Sequence, residues 1–195
     1  MPVTRRLFAR PLLLVLMALA ALATAGCGNK EDVHTLGETE GVYVDVADLT
    51  YQIQMSRILN PHDVEDKDYL KGLPPGTEEP GRGEAWFGVF LRVSNPTRET
   101  LKTASSFRII DTLENEFEPV PIDVGSNPFA YQSAPLRPES IYPDPNSAAG
   151  TGVIQGNLIL FKVSLSSLQN RPLEFKIDSP LPPPLRQSAT IDLDV

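Results

Sequence analysis

Trp86-Phe87-Gly88-Val89-Phe90-Leu91-Arg92-Val93 is the stretch that decides the fold. Its apolar residues do not alternate with polar ones, so neither face is meant for water. Eight such residues suit a central strand covered on both sides. Asn95-Pro96 closes it, because proline has no amide hydrogen for the ladder.

Segments to either side read as half-buried strands. Val42, Val44 and Val46 alternate with Tyr43, Asp45 and Ala47, and Tyr51, Ile53 and Met55 alternate with Gln52, Gln54 and Ser56. Phe107–Thr112 and Phe117–Val120 are short strands joined by a turn at Leu113–Glu116. Leu158–Val163 is a second core strand, broken only by Lys162, and Trp86 is expected to fill the space between the sheets. Leu173, Phe175 and Ile177, then Ile191, Leu193 and Val195, supply two more alternating strands. Glu65–Leu73 suits a short helix and Ser164–Asn170 a single turn. About eight strands with Gly/Pro-rich connections predict an all-β sandwich.

Two connections are long. His62–Glu84 is charged and then rich in Pro and Gly, and Pro121–Gly152 carries six prolines. Loops of this length are commonly binding loops or mobile segments. Pro180–Leu185 (PLPPPL) lies between two strands and reads as an edge crossover.

The N-terminus reads as an address. Arg5, Arg6 and Arg10 precede an uncharged apolar run from Pro11 to Ala25, followed by Gly26 and Cys27. That is the layout of a secretory signal peptide. Thr24-Ala25-Gly26-Cys27 resembles the lipobox of bacterial lipoproteins, although Thr24 stands where that motif usually has Leu. The resemblance implies a diacylglycerol on Cys27 and cleavage before it. Thr4-Arg5-Arg6-Leu7-Phe8 also resembles a twin-arginine export motif, which makes Arg5 and Arg6 the candidate export signal. The competing reading is an uncleaved anchor, since Pro11–Asn29 is uncharged for 19 residues. Both readings keep the arginines inside and export the rest. The expected organisation is a signal peptide over 1–26, a flexible lipid-anchored tether over 27–41 and one domain over 42–195.

Charge and composition exclude several classes. The chain has 17 Lys+Arg against 25 Asp+Glu, a net charge of −8, which argues against nucleic-acid binding. Removing residues 1–26, with three arginines and no acids, leaves −11. Such a surface is expected to stand off anionic lipid on its tether. The single Cys excludes an internal disulfide and a multi-thiolate zinc site. G-x-S-x-G, S-x-x-K and G-x-x-x-x-G-K-[ST] motifs are absent, so the sequence points away from an enzyme.

Two clusters remain as candidate sites. His62-Asp63-Val64-Glu65-Asp66-Lys67-Asp68 places Asp63, Glu65, Asp66 and Asp68 close in sequence, and calcium wants several such oxygen ligands. The competing reading is a solvated loop capping a short helix, with Asp63 at the cap. Phe129 and Tyr131 form an aromatic pair in a Pro-rich loop, suited either to ligand binding or to pinning the loop.

YQIQMSRILNPHDVEDKDYL (Tyr51–Leu70), WFGVFLRVSNP (Trp86–Pro96), NPFAY (Asn127–Tyr131) and QGNLILFKV through NRPLEFKI (Gln155–Ile177) together resemble an uncharacterised lipoprotein family of high-GC Gram-positive bacteria. The domain is also similar to export-linked Ig-like domains of the kind first seen in a secreted mycobacterial antigen. The resemblance implies an Ig-like antiparallel β-sandwich of about 7–9 strands on the outer face of the cell membrane. It implies no catalytic residue. The expected partners are the membrane, through Cys27, and an envelope protein or ligand; the alternative is a calcium-dependent or hydrolytic surface protein using the 62–68 loop.

Overall fold

The computed structural model describes residues 33–195. The domain starts with β1 (Leu36–Gly37), β2 (Tyr43–Val46) and β3 (Leu49–Leu59). A four-residue helix, α1 (Asp66–Tyr69), precedes β4 (Glu84–Ser94). Six short strands follow: β5 (Leu101–Lys102), β6 (Ser106–Ile110), β7 (Glu116–Phe117), β8 (Pro119–Val120), β9 (Pro135–Leu136) and β10 (Ile141–Tyr142). Helix α2 (Ala148–Thr151) leads into β11 (Asn157–Ser164). A 3-10 turn at Ser167–Gln169 then precedes β12 (Leu173–Asp178) and β13 (Ser188–Leu193).

The strands form an Ig-like antiparallel β-sandwich. One sheet has the order β1-β13-β12-β6-β7 and the other β2-β3-β4-β11-β8, with β10 added at the end of β4. β5 and β9 pair separately, and β1 is parallel to β13. The sheets bury a shared core. Phe87, Val89, Leu91 and Val93 of β4 and Ile159, Phe161 and Val163 of β11 face Phe107, Phe175, Ile177 and Ile191 of the other sheet. Phe161 meets Phe175 edge-on across the gap, with centroids 6.1 Å apart. Burying each such ring is worth about 1.5–3 kcal/mol.

The doubly apolar stretch now has its reason. Trp86 and Phe90, on the other face of β4, join Leu59, Leu158, Leu160, Tyr69 and Ile154 in a second core. Trp86 therefore lies outside the sandwich proper, not between the sheets, because it is out of phase with Phe87 and Val89. The two long connections are the lid of this second core: Leu70 and Leu73 come from the first, Ile122 and Phe129 from the second, and Ile154 follows just before β11. Asn127 ties them together. It is 1% exposed, and its amide donates to Tyr69 O at 2.9 Å and Lys71 O at 3.0 Å.

Three further expectations change. The β3/β4 register shifts between Ile53 and Met55, and this bulge turns Met55 to the face opposite Ile53. Pro180–Leu185 is not a crossover, because β12 and β13 are antiparallel neighbours and the segment is their hairpin loop. Residues 34–41, expected in the tether, belong to the folded unit. Leu36 and Gly37 pair with Thr190 and Ile191, Asp45 N donates to His34 O at 2.6 Å, and Glu40 receives Ser56 N at 3.0 Å. The folded unit begins at His34.

Candidate functional site

The strongest surface feature lies at the end of the sandwich where β3 leaves it. Beyond the bulge, β3 turns Met55 and Arg57 outward, opposite Phe90 and Gly88 of β4. The chain then loops over Arg57 into α1. Asp63 Oδ1 accepts the amides of Glu65 (2.9 Å) and Asp66 (3.3 Å), the work of a capping carboxylate, from two residues before the cap position. Asp66 is 3% exposed and forms a two-pronged ion pair with Arg57, one prong being Nη1 to Oδ2 at 3.1 Å. Asp66 Oδ2 also accepts Asn60 N at 2.7 Å. Burial alone would raise the Asp66 carboxyl, but Arg57 and the Asn60 amide outweigh it and hold it below the usual range. The Arg57 guanidinium lies 6.0 Å from the Tyr69 ring centre, and Tyr69 meets Phe90 and Phe129 edge-on.

The four carboxylates named from sequence do not converge. Asp63 caps, Asp66 is spent on Arg57, Asp68 pairs with Lys71 at 2.6 Å, and Glu65 is exposed. Among the described residues no three His, Cys, Asp or Glu side chains stand close enough to hold a metal. Of the two readings of this loop, the hydrogen bonds of Asp63 are those of the helix-capping one. What the spacing does not show is that one strand residue, Arg57, draws the central carboxylate inward.

What the loop does build is a depression of about 420 Å³ lined by Met55, Arg57, Ile58, Asp66, Tyr69 and Val153. Its lining is mixed, with Asn60, Asp63 and Glu65 beside the apolar side chains, several of which are well exposed. Val64 is 82% exposed and Val153 93%, beside Met55 and Ile58 at 40% and 47%. None of these was singled out from sequence as a surface feature, since each sits in a stretch that reads as strand or loop.

The aromatic pair turns out to pin the second connection. Phe129 is half-buried against Tyr69, with centroids 5.0 Å apart. Phe129 O and Tyr131 N pair with both sides of Leu158, at 2.7 and 2.8 Å, adding a short backbone tie to the edge of β11. The Tyr131 hydroxyl donates to Ala104 O at 2.8 Å, and its ring meets Phe107 edge-on. One flank of Tyr131 remains on an open groove of about 300 Å³ with Val120, Ile122 and Leu158.

Cys27, Arg5 and Arg6 lie outside the described residues. Among the described residues, no helix is long and apolar enough to cross a membrane.

No known family pattern matches the chain, and neither does any curated protein. Several solved structures share its general course. The yjhA protein of Bacillus subtilis is 6% identical over 80% of this chain and 99% of its own, with a TM-score of 0.49. A functionally unknown protein of Listeria monocytogenes is 7% identical over 80% and 82%, also at 0.49. The ycdA protein of Bacillus subtilis, a candidate lipoprotein, is 12% identical over 76% of this chain and 38% of its own, at 0.41.

Proposed function

We propose that this protein is a lipid-anchored extracytoplasmic β-sandwich that works as a binding or accessory module and not as an enzyme. The observation that carries the reading is Cys27. The chain's one cysteine follows an uncharged apolar run directly and stands seven residues before His34, where the folded unit begins. A diacylglycerol there supplies two acyl chains, enough for a stable anchor at about 0.8 kcal/mol per buried methylene. The exposed apolar side chains of Met55, Ile58 and Val153 in the depression beside the Arg57–Asp66 pair support a binding role. Methionine and branched side chains at a water-facing depression suit contact with another apolar surface in the envelope.

Palmitate labelling of cells expressing the full chain tests the anchor. Label should enter the wild type and its membrane fraction. Cys27→Ser should lose the label and release the protein from that fraction. Unchanged labelling in Cys27→Ser would refute the assignment.

A further inference from the structure

Four turns gather at the end of the sandwich where the chain enters. Asp45 N donates to His34 O, and the β2–β3 turn at Ala47–Asp48 follows immediately. Ala47 N donates to Gln187 Oε1 at 2.9 Å, which joins that turn to the β12–β13 loop. Thr50 at the start of β3 pairs with Ser94 at the end of β4, so the Asn95–Glu99 turn lies at this end too. Asn95 N donates to Ser140 O at 2.9 Å, and its side-chain amide to Leu136 O and Arg137 O at 3.0 Å each. The Arg137–Ser140 turn is thereby fixed beside it.

This end differs in chemistry from the rest of the molecule. Its β12–β13 loop, Pro180-Leu181-Pro182-Pro183-Pro184-Leu185-Arg186, exposes Leu185 at 65% and Leu181 at 37%. Four prolines stiffen it, so little freedom remains to be lost when it meets a surface. Exposed Arg98, Lys102, Arg137 and Arg186 stand in or next to these turns, and none of them forms an ion pair among the described residues. Four acids, Asp45, Asp48, Glu99 and Glu139, lie among them, and Asp178 at the end of β12 is paired with Arg108. Four bases to four acids contrasts with 17 to 25 for the whole chain. The opposite end carries Asp63, Glu65, Asp68, Glu78, Glu79, Glu84, Glu114, Glu116 and Glu174 against Lys67, Lys71, Arg82 and Arg171 on the loops and strand ends there.

We propose that this end seats on the anionic bilayer surface, with Leu181 and Leu185 entering the headgroup–acyl boundary and the four bases facing lipid phosphates. The inference rests on the lipid-anchor reading for its geometry. Seven residues from Cys27 to His34 span at most about 25 Å, so an acylated Cys27 keeps this end, and no other, near the headgroups. Exposed leucines flanked by a base are the chemistry that enters such an interface, and each nearby base adds to the attraction of anionic lipid. The chain's net negative charge is then carried away from the membrane on the opposite end. The domain is seated, not held off.

The test uses the full-length protein in vesicles of phosphatidylcholine and phosphatidylglycerol containing a nitroxide-labelled acyl chain. Bimane is attached at Leu185→Cys or, at the opposite end, at Val64→Cys, with the parent chain as the background. Quenching at position 185 at least threefold above position 64, weakened when phosphatidylglycerol is omitted, supports the seating. Equal quenching at the two positions overturns it, as does quenching at 185 that ignores the anionic lipid. Palmitate incorporation is read in the same preparation. Label without selective quenching keeps the anchor and sinks the seating. Selective quenching without label keeps the seating and sinks the anchor.

Discussion

Tyr51 lies fully inside the sandwich, where its phenol oxygen accepts the Ala104 amide at 2.8 Å. Burial pushes its ionisation up to about 12, only partly offset by that amide. The unfolded chain ionises Tyr51 near its ordinary value of about 10. Between the two, the unfolded state has lost a proton that the folded state keeps, so stability is intact below about pH 10 and falls as pH rises toward 12. Tyr51→Phe leaves the buried Ala104 amide without its partner. It is expected to cost about 1–2 kcal/mol in urea unfolding at pH 7 and to flatten this alkaline loss. Asn127→Ala removes the tie between the two long connections and is expected to cost about 2 kcal/mol. It should also open residues 70–83 to limited proteolysis before the sandwich unfolds. Little of this was legible in the sequence. Asn127 is one polar residue in a Pro-rich loop, and nothing local says that its partners sit 56 and 58 residues away. Arg57 likewise reads as an ordinary strand residue, until α1 brings Asp66 over it.

The long strands were the most legible part. Period-two patterning places β2, the first half of β3, β12 and β13, Phe107–Thr112 reads as the short strand at β6, and the apolar runs, interrupted only by Arg92 and Lys162, mark β4 and β11 as central. Three features broke the pattern for physical reasons. A bulge adds one residue to β3 without a local signal and reverses the face of all that follows. Apolarity on both faces of β4 shows that both are covered, but not that loops cover one of them. His34–Gly41 is polar because it lies at an edge, so composition alone reads it as tether. The glycines of this layer supply a graded test. A Cβ at Gly156 would lie 2.9 Å from the Phe90 carbonyl carbon and 3.1 Å from Leu91 N, both backbone atoms that cannot step aside. At Gly88 the nearest atom is Leu158 Cδ1, at 2.9 Å, the tip of a mobile side chain. Gly156→Ala is therefore expected to cost about 1–3 kcal/mol, and Gly88→Ala distinctly less, by thermal unfolding of the paired variants.

As a whole, the molecule is a sandwich with a second core stacked on one sheet. The chain enters at its less acidic end, and the depression beside Arg57 and Asp66 lies toward the other. Under the proposed lipid anchor, the short link from Cys27 to His34 would bring the entry end to the lipid and leave the other end open to a partner. Everything in the functional account depends on that link. Its most direct test is the intact mass and N-terminal fragment spectrum of the mature protein recovered from the membrane fraction. The account predicts a chain beginning at Cys27, with the mass of a diacylglycerol on its sulfur. A chain that begins at any other residue, or at Cys27 with an unmodified thiol, would contradict it.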